Sequence, residues 1–132
     1  GWANNWNAEN NSSVTNNGGP HGGSRHALLT GNSDGRITRR VNMSGVTNAS
    51  LEFWWKASSL EGNDKMRVRI YDGSWDTAFT ISNGDDDNTY HKKTIDLSGY
   101  SMVSDFRIRF DSDDVESGDY FVIDDIEITG NQ

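Results

Sequence analysis

Charged or aromatic residues occupy every second position of three segments, 51–56, 66–71 and 106–110, and all of them except Glu52 are basic or aromatic. A β-strand directs successive side chains to opposite faces, so each segment predicts one apolar face and one face of charged or aromatic residues. Guanidinium groups bind carboxylate or sulfate through paired hydrogen bonds, and aromatic rings stack on the faces of sugar rings. If the three strands share a sheet, their polar faces form one platform that could bind a ligand. The residues of this platform are Trp54, Lys56, Arg67, Arg69, Tyr71, Arg107 and Arg109.

The alternative is a solvated sheet face on which these cations pair with Glu52 and Asp96 of neighbouring strands. Exposed pairs of this kind stabilise a protein by about 1 kcal/mol or less. The chain carries 20 acidic and 12 basic side chains, a formal net charge of −8. Its acidic residues lie mainly in expected loops such as 85–87 and 111–114. Basic strands in an acidic chain indicate that the charges are segregated.

Length and composition favour one folded domain over residues 1–132. Only 33% of the residues are hydrophobic, but five tryptophans indicate a packed core. The chain has no cysteine, which excludes disulfides and thiol chemistry, and its acidity makes nucleic acid an unfavourable partner. No apolar run is long enough to span a membrane. Because Gly1 is not an initiator residue, we expect upstream sequence in a longer, secreted parent protein.

The elements that must position the platform are short strands separated by Gly, Asn, Asp and Ser clusters, which indicates an antiparallel β-sandwich or barrel. Residues 1–24 predict a polar N-terminal arm, which Trp2 and Trp6 would hold on or near the sandwich. The predicted strands are 25–31, 36–43, 49–57, 65–72, 76–82, 89–97, 103–111 and 119–129. The predicted core residues are Leu51, Phe53, Trp55, Met66, Val68, Ile70, Phe106, Ile108 and Phe110.

A series of short motifs gives the chain a family resemblance over residues 22–129. The motifs occupy 23–32, 41–46, 49–56, 71–75, 95–100 and 106–110, and the last is Phe121-Val122-Ile123-Asp124-Asp125-Ile126-Glu127-Ile128. In this order they resemble the bacterial jelly-roll domains related to MAM domains, which occur as accessory modules of secreted proteases and polysaccharide-degrading enzymes. The absence of cysteine places the chain nearer the bacterial branch than the animal one. The resemblance implies an antiparallel two-sheet jelly roll.

The resemblance also implies a structural calcium ion near the final strand. Asp124 and Asp125 are adjacent carboxylates in an apolar strand, so one of them is expected to point inward, where an unpaired charge costs several kcal/mol. Calcium with loop oxygens would offset this cost, and Asp64 is a further candidate ligand. The alternatives are a pair with Arg25 or Arg40, or a β-bulge that turns both carboxylates to solvent.

The sequence contains no recognisable catalytic motif. His21, His26 and His91 are its only histidines, and their positions favour loop or strand-surface roles. Jelly-roll polysaccharide lyases use Tyr, His, Arg and Lys on a sheet, but they are generally much longer, so we do not expect an enzyme. The position of Trp75 after Asp72-Gly73-Ser74 favours a structural role at the end of a hairpin over ligand stacking.

These observations favour a non-catalytic carbohydrate-binding module of a secreted bacterial enzyme. Its ligand would be a polysaccharide, neutral or anionic, bound on a sheet face or loop edge, with the parent catalytic domain in cis. The alternative is a structural or protein-interaction domain of a secreted protease or adhesin, in which the arginines are only paired with acidic residues.

Overall fold

The computed structural model describes residues 6–9, 12–15, 26–30, 35–113 and 119–132, and within these ranges the chain forms ten strands and no helix. The described residues thus contain no helix that is long and apolar enough to cross a membrane. The strands are β1 (Asn7–Glu9), β2 (Ser12–Thr15), β3 (His26–Thr30), β4 (Arg36–Val41), β5 (Thr47–Ser58), β6 (Lys65–Tyr71), β7 (Trp75–Ser82), β8 (His91–Asp96), β9 (Phe106–Asp113) and β10 (Tyr120–Asn131).

The strands form two five-stranded antiparallel sheets. The front sheet has the order β1-β4-β9-β6-β7, and the back sheet has the order β2-β3-β10-β5-β8. Strands that neighbour each other in a sheet are mostly distant in sequence, so the two sheets are built together from all parts of the chain. The prediction of an all-β, two-sheet antiparallel sandwich is confirmed.

All eight strands predicted from alternation are present, with ends shifted by at most three residues. The pattern does not predict β1 and β2, which lie in the polar N-terminal segment and add one edge strand to each sheet. Both are short, and their sequences Asn-Ala-Glu and Ser-Ser-Val-Thr contain few residues with strong β preference. Pairing with β4 and β3 therefore determines these strands more than local propensity does.

The nine predicted core residues are all buried between the sheets, with Trp55 the most accessible at 8% exposed. Phe53 of the back sheet and Phe110 of the front sheet meet edge to face, with ring centroids 5.0 Å apart. Trp6, just before β1, also packs on Phe110, with ring centroids 5.9 Å apart. An edge-to-face pair adds about 1 kcal/mol to the free energy gained by burying both rings. Phe110 thus joins the two sheets at the centre of the core.

The β6–β7 hairpin fixes the positions of two aromatic residues at the edge of the front sheet. Its loop is Asp72-Gly73-Ser74, closed by the Asp72 amide donating to the Ser74 carbonyl at 3.3 Å. Gly73 has φ = 120°, a conformation that residues with a Cβ rarely adopt. This turn places Tyr71 directly opposite Trp75 in the ladder.

Candidate ligand-binding face

The outward side of the front sheet, here called the front face, collects most of the residues predicted for the platform. In an antiparallel ladder, directly opposed residues lie on the same face. The register pairs Arg67 with Asp111, Arg69 with Arg109, and Tyr71 with Arg107. The next strand adds Arg36, Thr38 and Arg40 opposite Asp111, Arg109 and Arg107. Five of the seven platform residues therefore come together as predicted, namely Arg67, Arg69, Tyr71, Arg107 and Arg109.

The front face is strongly positive in an acidic protein. Over β4, β9, β6 and the residue before β9, it carries seven cationic and three acidic side chains. The surplus of four positive charges contrasts with the net charge of −8 for the whole chain. The cations are Arg36, Arg40, Lys65, Arg67, Arg69, Arg107 and Arg109. The acidic residues are Asp105, Asp111 and Asp113.

Trp75 lies at the centre of the arginine cluster. The Arg109 guanidinium carbon is 4.2 Å from the centroid of the Trp75 ring, and that of Arg69 is 5.6 Å away. The Arg109 Nε also donates to the Thr38 hydroxyl at 3.0 Å. Cation–π contacts of this kind contribute about 0.5–2 kcal/mol, more when water is excluded. One indole ring therefore holds two guanidinium groups near each other on the sheet.

Tyr71 adds a second aromatic ring to this cluster, opposite Arg107 near the start of β9. Its ring centroid is 5.3 Å from that of Trp75, and the Arg107 guanidinium lies 5.0 Å from the Tyr71 ring. Arg107 also forms a bidentate pair with Asp105, at 3.0 Å from Nε and 2.8 Å from Nη2. Arg40 contacts the same carboxylate at 2.7 Å. The hydrogen bonds from Arg107 lower the pKa of Asp105 and raise that of Arg107.

Asp111 neutralises part of the charge on β6. Its Oδ1 accepts from Arg67 Nε at 3.0 Å, and its Oδ2 is 4.0 Å from Arg69 Nη1. Asp111 is only 7% exposed, so this pair is better shielded from solvent than an ordinary surface ion pair. The Nε of Arg69 is buried and has no hydrogen-bond partner among the described residues. Arg69 thus contacts both Asp111 and the Trp75 ring, whereas Arg67 donates a hydrogen bond to Asp111.

Trp54 and Lys56 do not belong to this face. Their place in the platform requires β5 to share a sheet with β6 and β9, and β5 instead pairs with β10 and β8 in the back sheet. Both residues point outward on the opposite side of the sandwich, where the Lys56 ammonium lies 4.7 Å from the Tyr90 ring. Alternation indicates which face of a strand is polar, but it does not indicate which strand pairs with which.

The structure adds Trp75 to the candidate site. From the sequence, the hairpin position of Trp75 predicts a structural role. In the structure, its ring also contacts Arg69, Arg109 and Tyr71. The sequence signal for this arrangement is the three-residue loop with Asp-Gly between two aromatic residues, which predicts that the residues on either side are opposed. Arg36 and Arg40 could be found from the same alternation in 36–41.

The two adjacent carboxylates of β10 have different environments. Asp124 is fully buried, and its Oδ1 accepts from the Asp125 amide at 2.9 Å. Asp125 has φ = 50° and stands in a β-bulge, where the register with β5 shifts between Asp124 and Glu127. A bulge is thus present, but it does not turn both carboxylates to solvent as that alternative requires, because Asp124 is buried. Arg40 contacts Asp105 instead, and Arg25 lies outside the described residues.

The third predicted metal ligand, Asp64, caps a turn. It is 3% exposed, and its Oδ2 accepts from the Glu61 amide at 2.9 Å. Within the described ranges, no three His, Asp or Glu side chains come together as a metal site would require. The calcium ion therefore stays a prediction.

His91 takes part in a local contact at the start of β8. Its Nε2 lies 2.9 Å from the Asp87 carboxylate. The hydrogen bonds from His91 and Thr89 lower the pKa of Asp87 to about 2. The imidazole also packs against Trp55, with ring centroids 4.7 Å apart. These contacts order the loop before β8. His21 lies outside the described residues, and so does the side chain of His26.

Solved structures of carbohydrate-binding modules share this fold. The chain superposes on TmCBM61, solved in complex with β-1,4-galactotriose, with a TM-score of 0.69 and 14% identity over 97% of this chain and 90% of that one. The CBM22-1 xylan-binding domain of Paenibacillus barcinonensis Xyn10C gives a TM-score of 0.64 and 15% identity, and the match covers 95% of this chain and 85% of that domain. A family 16 carbohydrate-binding module gives a TM-score of 0.63 and 17% identity, and the match covers 90% of this chain and 85% of that module. At these identities the likeness establishes the fold class, a β-sandwich like those of carbohydrate-binding modules.

No protein-family model matches the sequence. No curated protein matches it either.

Proposed function

We propose that this protein is a non-catalytic carbohydrate-binding module that binds an anionic polysaccharide on its front face. The observation that carries the proposal is the pair of guanidinium groups, Arg69 and Arg109, held on the ring of Trp75. The fold shared with a module solved in complex with β-1,4-galactotriose and with a xylan-binding domain supports a carbohydrate ligand. The local surplus of positive charge supports an acidic one.

The contacts of the aromatic rings favour anionic groups over neutral sugar stacking as the main source of affinity. Trp75 and Tyr71 already have arginine side chains near their faces, so their rings are not fully open platforms. The rings instead orient the guanidinium groups and reduce the entropy lost when a ligand is bound. Oriented guanidinium groups match the geometry of carboxylate and sulfate oxygens.

The arginines divide into two groups with different expected roles. Arg67 and Arg107 each pair with a carboxylate of this chain, which fixes them on the sheet. Arg69 and Arg109 are directly opposed in the ladder and both lie beside the ring of Trp75, so one anionic group can reach both guanidinium groups. We therefore assign the main contacts with ligand anions to Arg69 and Arg109.

The wider setting of the module belongs to the same proposal. A site on one flat sheet face suits a long polymer that runs across several strands. Such a module would keep a secreted bacterial enzyme, joined to it in the same chain, close to its polysaccharide. The resemblance to MAM-related accessory domains supports this setting.

The proposal is tested by affinity electrophoresis and calorimetry with alginate, polygalacturonate and a sulfated galactan, with a neutral β-glucan as reference. We expect at least one acidic polymer to bind, with an affinity that falls several-fold as salt screens the charges. Arg69→Gln should weaken binding by about tenfold, since it removes one charge-assisted contact. The matched variant Lys92→Gln removes one positive charge from the back sheet and should leave binding unchanged.

The rival function is a structural or protein-interaction domain, and one observation favours it. Asp105 and Asp111 together engage four of the front-face arginines, Arg40, Arg67, Arg69 and Arg107. If these pairs exist only to solubilise the sheet, no polysaccharide will bind. Binding to none of the four polymers would therefore decide in favour of the rival.

A further inference from the structure

One row of opposed residues at the centre of the front face consists of two arginines and two threonines. The ladders pair Thr38 of β4 with Arg109 of β9, Arg109 with Arg69 of β6, and Arg69 with Thr77 of β7. Opposed residues lie on the same face, and neighbouring strands are about 4.8 Å apart, so this central row crosses about 14 Å of the sheet. Two guanidinium groups lie at its middle, and one hydroxyl group lies at each end.

The direct opposition of Arg69 and Arg109 is unfavourable unless an anion lies near both of them. Like charges at opposed positions destabilise a sheet, and the Trp75 ring holds these two guanidinium groups near each other. The Arg69 Nε is also buried without a hydrogen-bond partner among the described residues, and a buried donor in this state is costly. Asp111 lies 4.0 Å from Arg69 Nη1, which is too long for a hydrogen bond. An anion between the two arginines reduces both costs.

The two guanidinium groups favour an anion that has more than one pair of oxygens. A guanidinium group donates through two parallel N–H groups to two oxygens of one anion. A carboxylate offers one such pair, which a single arginine fills, as Arg107 does with Asp105. A phosphodiester also offers one pair, whereas the three terminal oxygens of a sulfate ester form three pairs that face different directions. Two arginines on adjacent strands can therefore each bind one pair of the same sulfate group.

The threonines at the ends of the central row suit the sugar that carries the sulfate. Thr38 accepts a hydrogen bond from Arg109 Nε at 3.0 Å, so its own hydroxyl hydrogen is still able to donate. Thr77 is exposed on β7, the edge strand of the front sheet. Each threonine lies one strand, about 5 Å, from an arginine of the row. The ends of the row can thus bind sugar hydroxyls while the middle binds the anion.

We infer that the front face selects sulfated polysaccharides over those whose acidic groups are carboxylates, and that Arg69 and Arg109 share one sulfate ester. This inference rests on the proposed function, because it concerns the same face, and it narrows the anionic ligand to one chemical class. Arg67 and Arg107, which hydrogen-bond to carboxylates of this chain, contribute positive charge rather than direct contacts with that sulfate.

The test compares three forms of one galactan by calorimetry. The first form is sulfated, the second is desulfated, and the third is desulfated and then carboxymethylated to the same number of charges per sugar. Alginate and polygalacturonate are measured beside them. Because the backbone and charge density are matched, the ratio of the affinities for the sulfated and carboxymethylated forms reports the choice of anion. We expect a ratio of about tenfold or more, since the second arginine gains its paired hydrogen bonds only with sulfate.

Two variants separate the shape of the arginines from their charge. Arg69→Lys and Arg109→Lys each keep the positive charge but replace the paired N–H donors by one ammonium group. Each should weaken binding of sulfated galactan by about tenfold and leave binding of the carboxymethylated form within about twofold of the wild type. The reverse exchange, Lys92→Arg on the back sheet, should leave both affinities unchanged. Circular dichroism shows whether each variant folds.

The possible failures of the two proposals are distinguishable. An affinity for sulfated galactan no higher than that for the carboxymethylated form, or binding of alginate or polygalacturonate alone, overturns the inference and leaves the proposed function intact. Equal losses for both galactans in the lysine variants also overturn it, because the arginines would then act only through charge or folding. Binding of none of the charged polymers means that the proposed function itself has failed.

Discussion

The outward faces of the two sheets have similar alternating sequences but opposite electrostatics. Over β4, β6, β9 and Asp105, the front face has a surplus of four positive charges. Apart from the buried Asp124, the register-paired outward positions of β5, β8 and β10 in the back sheet carry two cationic and three acidic side chains. The cations are Lys56 and Lys92. The acidic residues are Glu52, Asp96 and Glu127.

The two faces also differ in how their cations are held. On the back face, Lys92 contacts Glu52 at 3.3 Å, and Lys56 is 7% exposed beneath Tyr90. On the front face, two arginines share the ring of Trp75. Alternation of basic and apolar residues therefore does not by itself indicate a ligand site. Cations gathered around one aromatic ring, in excess of nearby carboxylates, distinguish the front face.

The largest expected effect comes from breaking the contact that aligns the two sheets. Phe110→Ala removes the ring that packs on both Phe53 and Trp6, and should lower the free energy of unfolding by about 3–5 kcal/mol. Chemical denaturation measures this loss. Phe79→Ala is the control, because Phe79 is only partly buried and should cost clearly less. Equal losses in the two variants would show that Phe110 does not join the sheets.

Removal of metal tests the predicted calcium ion on the back-sheet side. If calcium binds the folded protein through Asp124, at a concentration of about 100 times its dissociation constant, a chelator should lower the free energy of unfolding by about 3 kcal/mol. Asp124→Asn should abolish this response. An unchanged unfolding midpoint with chelator, together with no metal in the purified protein, would contradict the prediction.

A smaller effect is expected where Tyr100 ties the segment after β8 to β7. Its hydroxyl donates to Asp76 Oδ2 at 2.6 Å, and burial together with this hydrogen bond raises its pKa to about 12. Tyr100→Phe should cost about 1 kcal/mol at neutral pH. Because the folded pKa lies above the ordinary value of 10.0, the wild type should lose this stabilisation as pH rises from about 10 to about 12. Identical alkaline unfolding curves for wild type and variant would exclude this role.

The smallest expected effect comes from removing one negative charge from either face. Asp111→Asn releases Arg67 and raises the surplus on the front face, and should strengthen binding of an acidic polymer by about threefold. Asp96→Asn changes the net charge equally on the back face and should have no effect on affinity. Calorimetry measures both. A similar gain in both variants would mean that only the net charge of the protein matters.

The sequence predicts the strands and the core more fully than the site. Period-two alternation identifies Phe53, Val68 and Ile108 as core residues because burial alone decides which face is apolar. The same period cannot place Trp54, since strand pairing depends on packing between distant segments. Trp75 becomes part of the site through a hairpin register that follows from one turn.

The most direct test of the ligand site compares two tryptophans, Trp75 on the outward face of the front sheet and Trp54 on the outward face of the back sheet. The affinity of Trp75→Ala and Trp54→Ala for the acidic polymer that binds the wild type is measured by calorimetry, with circular dichroism to show that both variants fold. Trp75→Ala should lose about tenfold or more, because Arg69 and Arg109 lose the ring that holds them, while Trp54→Ala should stay within about twofold of the wild type. Equal losses, or a larger loss in Trp54→Ala, would contradict the assignment of the ligand to the front face.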